Sequence, residues 1–365
     1  MVTTGKVARV LEVLKRFIDP SNLVKTSGLL VFDRGNILVT SGWGGCLYHG
    51  PDSLLTPDEV MGMDVSVVQD LLPILSLRKQ EEELSITLSN DVCYITVGRR
   101  VLNYGSKRLE GALIRSEHIL QEVKRNKIAD SFLSVLRDLS FGISDNAFDS
   151  QFGGIWYSET DKIIYASDGA RITWMPLGSE LGTNENFFVP AVFLKKVPGL
   201  KLELKSIAVE GGLCYFFFKD FVPFFLLRDT KMPAFGSAVD QLKNGALSSG
   251  NWFTLDLSKD KRDELKAARS LYYDARGEVS DVLLSREGSD LVVKVIHKQD
   301  QVARGSTDYI TILAGEGNDD LQFRMNAEYF LDALDHFDTF FYNPHQCIYS
   351  ENTETGMEQI IGWKG

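Results

Sequence analysis

Long apolar runs are the first thing missing from this sequence. No segment reaches the roughly 20 consecutive apolar residues that cross a bilayer. The opening MVTTGKVARVLEVLKRF is broken by Lys6 and Arg9, where a secretion signal would carry an uninterrupted apolar core. Both absences predict a cytoplasmic chain with no membrane partner. Cysteine is sparse as well: Cys46, Cys93, Cys214 and Cys347 lie far apart, without the Cys-x-x-Cys or Cys/His spacing that zinc requires. They are expected to be reduced, mostly buried thiols. The histidines, His49, His118, His297, His336 and His345, are equally scattered, and no P-loop, Gly-x-Ser-x-Gly or His-Glu-x-x-His motif occurs. Gly-Trp-Gly-Gly-Cys at 42–46 has no Gly-Lys-Ser/Thr after it and reads as a bend between strands. The expectation is no metal, no cofactor and no enzymatic activity.

Positive charge is also in deficit. Lys and Arg number 39 against 50 Asp and Glu, a formal net charge of −11. Such a chain does not coat itself in nucleic acid over its whole surface, although one basic face stays open to it. Low-complexity segments are absent, and the balance of 44% hydrophobic and 24% charged residues is that of a globular protein. At 365 residues the chain exceeds one ordinary core and predicts roughly two or three domains.

What is present is a repeat. GLLVFDRGNILVTSGWGGCLY (28–48), GGIWYSETDKIIYASDGARITW (153–174) and SDVLLSREGSDLVVKVIHKQD (280–300) each read as strand, polar turn, strand. A helical pattern precedes each. In KVARVLEVLKRFI, Val7, Val10, Leu11, Leu14, Phe17 and Ile18 form one apolar stripe. The counterparts are IADSFLSVLRDLS and SKDKRDELKAARSLYY, the latter with Ser258 as N-cap. A second helix and further strands follow each time: VSVVQDLLPILSL, VPAVFLKKVPGL and NAEYFLDALDHF are the helices. The fold class is therefore α+β, with three domains, 1–120, 121–247 and 248–365, each pairing two helices with antiparallel sheet. Two stretches, GSKRLEGALIRSEH and GSAVDQLKNGALSSG, read as linkers between them.

Much of the positive charge sits on or beside these helices. Lys6, Arg9, Lys15 and Arg16 face a single acid, Glu12, and Lys195, Lys196 and Lys201 have no acid among them. One such helix reads as an ordinary solvated face. Recurrence in an acidic chain makes a phosphate-attracting surface an equal reading, and binding there would be independent of sequence and sensitive to salt.

Within YASDGARITWMPL (165–177), Asp168-Gly169 carries the signal of a plain hairpin turn, yet Arg171 and Trp174 follow at once. Arg171 reads equally as a surface cation, and Tyr329 shares a helix stripe with Phe330 and Leu334 that suits core packing. A hydrolase cleft using Asp168 and Arg171, or a β-rich self-assembling virion or scaffold protein, are the readings from other classes.

The motifs VLRDLSFGIS, ASDGARITWMPLG, FFVPAVFLKKVPGL, LLRDTKMPAF and FRMNAEYFLDALDHF occur in the order and approximate spacing of the bacterial β-type sliding clamp of replicative DNA polymerase. The chain resembles that family over nearly its whole length. The resemblance implies a processivity factor: a head-to-tail homodimeric ring of repeated domains, with helices lining the hole and sheets outside. It would encircle duplex DNA without sequence preference. Lys6, Arg9, Lys124, Arg125, Arg137, Lys195, Lys196, Lys266 and Arg269 would then face the DNA. It further implies a hydrophobic pocket between the second and third domains that receives clamp-binding peptides from DNA polymerase, the clamp loader and repair proteins. The matching positions are Phe152, Ser167, Gly169, Arg171, Ile172, Asn326, Tyr329, Ile361 and Trp363, although Trp363 also reads as a cap on the last sheet. Ser167 and Ile172 replace the family's usual Thr and Leu, MPAF stands for its F-P-D-Y, and IIGWKG for its Met-rich ending. These departures bear on the pocket's peptide preference, and would suit a clamp encoded by a phage and working in its host's cytoplasm.

Overall fold

A computed structural model of the chain describes residues 3–18, 28–33, 35–41, 44–50, 60–77, 81–108, 118–127, 132–144, 152–177, 185–196, 203–227, 236–273, 279–296 and 310–362. One order of elements, helix, strands, helix, strands, recurs three times along it. First come α1 (Thr4–Lys15), β1 (Leu29–Asp33), β2 (Asn36–Ser41), β3 (Gly44–Tyr48), β4 (Met61–Asp64), α2 (Val67–Ser76), β5 (Leu84–Ser89), β6 (Val92–Val97) and β7 (Arg100–Arg108). Next are β8 (Asn126–Lys127), α3 (Phe132–Asp138), β9 (Gly154–Ser158), β10 (Ile163–Ser167), β11 (Arg171–Pro176), β12 (Phe187–Pro190), α4 (Ala191–Lys196), β13 (Ser206–Glu210), β14 (Leu213–Phe217) and β15 (Phe221–Leu226). A helix, α5 (Gly236–Ser248), leads to β16 (Trp252–Leu255), α6 (Lys259–Ala267), β17 (Asp281–Glu287), β18 (Asp290–Ile296), β19 (Ile310–Leu313), β20 (Gly315–Gly317) and β21 (Gln322–Asn326). The chain then runs through α7 (Ala327–His336), β22 (Thr339–Asn343), β23 (Cys347–Glu351) and β24 (Glu358–Gly362).

The recurrence reaches the turns. Asn90-Asp91 links β5 to β6 and Gly211-Gly212 links β13 to β14, each closing a registered pair, Ser89 with Val92 and Glu210 with Leu213. Both residues of each link have positive φ, 50° and 58° in the first and 60° and 76° in the second. That is the backbone of a primed hairpin turn, which matches strand twist and favours Asn, Asp and Gly.

Local sequence explains the helices. In α1 the stripe Val7, Val10, Leu11 and Leu14 is buried, while Lys6, Arg9, Glu12 and Lys15 stay exposed. Ser258 Oγ accepts from the Lys261 backbone N–H (3.3 Å) at the start of α6, and Asn326 Oδ1 accepts from those of Glu328 (2.9 Å) and Tyr329 (3.4 Å) at the start of α7. One expectation is overturned: GSAVDQLKNGALSSG, read as a linker, is helix α5 over most of its length. Ala and Leu favour helix, and Val239, Leu242, Lys243 and Ala246 share one side of it at three- and four-residue spacing. That side lies against β22, β23 and β24, with Ala246 fully buried. Lys124 and Arg125, grouped by sequence with the basic helices, instead stand outside any helix just before β8.

Compactness divides the chain into two units. One comprises Met1–Arg137, Ser158–Thr160 and Gly178–Asp229; the other comprises Asp138–Tyr157, Asp161–Leu177 and Thr230–Gly365. The first holds an 11-stranded sheet in the order β5-β6-β7-β4-β1-β2-β3-β15-β14-β13-β8. Val31, Leu38, Leu47, Val222 and Phe224 from this sheet pack with Ile119 and Val123 around the short helical turn His118–Glu122. In the second unit β10-β11-β24-β23-β22-β16-β20 are hydrogen-bonded in that order, and β19-β18-β17-β21 form a separate four-stranded sheet.

Where β3 runs between β2 and β15, a glycine gives room to the β2 backbone on one side and to the Phe224 ring of β15. A Cβ on Gly45 would lie 2.0 Å from the Val39 carbonyl oxygen and 2.7 Å from Phe224 Cζ. Gly45→Ala is therefore expected to cost about 2–3 kcal/mol through overpacking. Gly105→Ala, where a Cβ would meet nothing within 4 Å, should be near neutral. Equal denaturant midpoints for the two variants would contradict this close approach.

Candidate functional site

The turn between β10 and β11 is built from its own side chains. Asp168 Oδ1 accepts from the backbone N–H groups of Ala170 and Arg171, both at 2.9 Å. Ser167 Oγ donates to the Arg171 carbonyl (2.7 Å) and accepts from Gly169 N–H (3.1 Å), and Gly169 has φ +90°. Phe152 packs beside Gly169, its ring 3.6 Å from where a Cβ would sit. This is an Asx-type turn, the local competition with strand geometry that short polar side chains supply.

Arg171 ties the turn to α7. Its side chain is 7% exposed, with Nη1 2.7 Å from Asp332 Oδ2 and Nε 3.0 Å from Asp168 Oδ2. The Asp168 contact is an ion pair by distance, but its angle leaves Nε outside hydrogen-bond geometry. Nη2 donates to the Phe141 carbonyl, and the guanidinium lies 4.8 Å from the Tyr329 ring centroid and 5.3 Å from that of Phe141. Burial, and then the nearby Asp168 carboxylate, push the Tyr329 phenol up to about 12, so it remains a neutral donor.

Strand alternation divides the neighbours of this turn between two faces. Ile172 and Trp174 face α5, and Arg171 and Thr173 face α7. On the α5 side a cavity of about 220 Å³ is floored by Ile163, Tyr165, Ile172 and Trp174 and walled by Val239, Asp240 and Lys243, with Asp161 at its mouth. On the α7 side a cavity of about 510 Å³ is lined by Ala170, Phe323, Met325, Asn326, Tyr329, Ile348, Ile361 and Gly362, with Asp281 and Arg324 beside them. Arg324 is neutralised by Asp281, its Nη2 2.7 Å from Oδ2. Both cavities share the β11–β24 pair, in which Arg171 opposes Ile361 and Trp174 opposes Glu358.

Of the pocket positions named from sequence, Asn326, Tyr329 and Ile361 line the larger cavity and Ile172 the smaller. Ser167, Gly169 and Arg171 build the turn between them, Phe152 supports it, and Trp363 lies outside the described residues. Sequence reading missed the α5 wall, because that stretch reads as a linker. It also missed Ile348 and Trp174's role as floor, which become visible only when strand register is known. Asp168 and Arg171 do not form a free acid and base, since each is consumed in holding the turn.

The basic positions are dispersed. Lys6, Arg9 and Arg137 are exposed on α1 and α3, and Lys195, Lys196 and Lys266 fall on α4 and α6. Arg125 lies 4.4 Å from the Phe217 ring centroid and donates to the Leu120 carbonyl (2.7 Å), whereas Arg269 pairs with Glu328 at 3.3 Å. Among the described residues no cluster of His, Cys, Asp and Glu suits a metal ion. All four thiols are free and buried, and burial raises each, Cys93 and Cys347 to about 11. Among those residues, too, no helix is long and apolar enough to cross a membrane.

Recurrent α+β units, each with paired helices and three-stranded antiparallel runs, define the sliding-clamp fold. Solved structures place the chain there: it aligns over 100% of its length with the DNA polymerase sliding clamp of Pseudomonas aeruginosa, covering 99% of that chain at TM-score 0.75 and 14% identity. A putative DNA polymerase III β subunit from Eubacterium rectale matches at TM-score 0.74 and 13% identity, with 100% of this chain and 98% of that one covered. The Helicobacter pylori β clamp bound to a DNA ligase peptide matches at 0.69 and 15%, covering 100% and 99%. No family model matches the sequence. No curated protein matches it either.

Replacing Arg171 by Met should leave Asp168 and Asp332 without their partner and destabilise the second unit by about 3 kcal/mol. Arg171→Lys should recover only part of this, because an ammonium cannot reach all three acceptors in the guanidinium's planar geometry. Denaturant unfolding of the three proteins checks it, and an unchanged midpoint in Arg171→Met would show that the tether carries no stability.

Proposed function

We propose that this chain is a DNA sliding clamp, a non-catalytic processivity factor that encircles duplex DNA and tethers a DNA polymerase. The observation that carries the reading is the end-to-end match to sliding clamps, with 98–99% of those chains covered. In it, residues 1–120, 121–247 and 248–365 form three clamp domains, a division supported by the threefold recurrence of elements and by the primed turn shared by the first two. Two copies close head to tail, a heterologous contact that avoids an open filament only by forming a ring. Lys6, Arg9, Arg137, Lys195, Lys196 and Lys266 then touch phosphates, with Lys124, Arg125 and Arg269 in support. Contacts made only to phosphates, by scattered cations on an acidic chain, hold the duplex loosely enough to slide.

The cavities on the two faces of the β11–β24 pair receive linear peptides from the polymerase, the clamp loader and other DNA-processing proteins. The DNA ligase peptide bound by the H. pylori clamp supports this class of partner. Because β11 is paired on both sides, by β10 and β24, a peptide cannot dock here as an added strand. It binds by inserting apolar side chains, the polar rim fixing its backbone. Such a protein works in the cytoplasm, at replicating DNA.

Sedimentation is expected to give twice the chain mass at micromolar concentration. Protein loaded on nicked circular DNA should stay bound and should run off once the circle is linearised. A strict monomer, open assemblies of growing mass, or equal retention on circle and line would each overturn the reading.

A further inference from the structure

Behind the larger cavity the sheet carries a polar row that lines neither cavity. Ile348 and Ile361, which do line the larger one, oppose each other across β23 and β24. Two residues further along the same face, Ser350 opposes Gln359, and Gln359 in turn opposes Thr173 on β11. All three side chains are fully buried. Gln359 lies on the middle strand, and its amide is drawn toward β11, where Nε2 donates to Thr173 Oγ1 at 3.0 Å. Two buried oxygens, Gln359 Oε1 and Ser350 Oγ, are left with no hydrogen-bond partner among the described residues. Turning the amide over leaves the same deficit. Thr173 would then donate to Oε1 and the Nε2 N–H groups would be left over, so one end of the amide is unanswered in either orientation.

Buried polar groups are nearly always paired, with protein or with ordered water. Residues opposed on adjacent strands have Cβ atoms about 4.5–5.5 Å apart, and one water spans such a separation at about 2.8 Å from each partner. We propose that a single buried water bridges Ser350 Oγ and the Gln359 amide, extending the Thr173–Gln359 bond into a continuous polar tie across β11, β24 and β23. It accepts from the serine hydroxyl and donates to Oε1; with the amide turned, it accepts from Nε2 and donates to Ser350 Oγ. A hard cation does not suit the place, because the row offers only neutral oxygens and no carboxylate. The tie lies one same-face rung, roughly 7 Å, beyond Ile361. It therefore holds β24 in register under the cavity whether or not a peptide binds there.

A crystal structure of the intact protein, at a resolution that shows ordered water, should contain one peak within about 3.2 Å of both Ser350 Oγ and the far end of the Gln359 amide. Ser350→Ala and Gln359→Leu should each empty that position, since a buried water is held by two or more polar partners. Because the water leaves with either partner, the double variant should lose no more in urea midpoint than Gln359→Leu alone. A direct Ser350–Gln359 bond, a dry gap between the two side chains, or midpoint shifts that add in the double variant would overturn the bridge. Should a variant fail to fold, the map of the intact protein decides by itself, and losing the bridge leaves the peptide-binding reading untouched.

Discussion

A buried guanidinium must be answered by its surroundings, and in the second unit Arg171 sets the arrangement of everything near the candidate site. Taking a charge out of water costs several kcal/mol, which is offset only where counter-charges and acceptors are fixed in place. Arg171 finds them on three segments distant in sequence: Asp168 in its own turn, the Phe141 carbonyl, and Asp332 on α7. Satisfying one side chain therefore positions the 167–171 turn against the helix that carries Tyr329, and with it one wall of the larger cavity. Arg171 thus fixes the residues around the cavity whose positions the sequence singles out.

The β11–β24 pairing converts that local anchor into a two-sided site. Residues 171–174 register with 361–358, and alternation sends adjacent side chains to opposite faces. One face is covered by α7 and the other by α5, so two cavities of different size and charge share a single backbone ladder. On the α7 side Gln359, fully buried, donates from Nε2 to Thr173 Oγ1 (3.0 Å). That bond joins the same two strands away from the rim. A slip of one residue would exchange Ile172 with Arg171 and set the guanidinium on the apolar floor of the smaller cavity, beside Lys243. Register here is thus enforced by chemistry on both sides of the sheet.

The fold was legible in the sequence to the extent that it rests on periodicity. The stripe of α1, the strands of 28–48 and 153–174, and the caps Ser258 and Asn326 follow from 3.6- and 2-residue patterns and from side-chain oxygens at helix starts. What stayed hidden depends on tertiary context. Residues 236–248 are small and polar enough to read as a tether, yet the same small side chains let a helix lie close on β22–β24. Lys124 and Arg125 look like helix charges by composition, while Arg125 is held over Phe217 outside any helix. Of the site, the turn and Asn326, Tyr329 and Ile361 were within reach of motif spacing. The α5 wall and Ile348 were not, because no local pattern encodes which side chains face one another across a sheet.

An identity of 14% accompanied by a TM-score of 0.75 over the full chain follows from the same division. Hydrophobic residues of about the right size at the right period suffice to place helices and strands, and cores tolerate wide substitution when volume and pattern are kept. Recognition has no such tolerance, because it turns on individual groups: whether a rim cation is free or, like Lys243, neutralised by Glu358. Architecture can therefore be carried across a sequence gap of this size while ligand preference cannot.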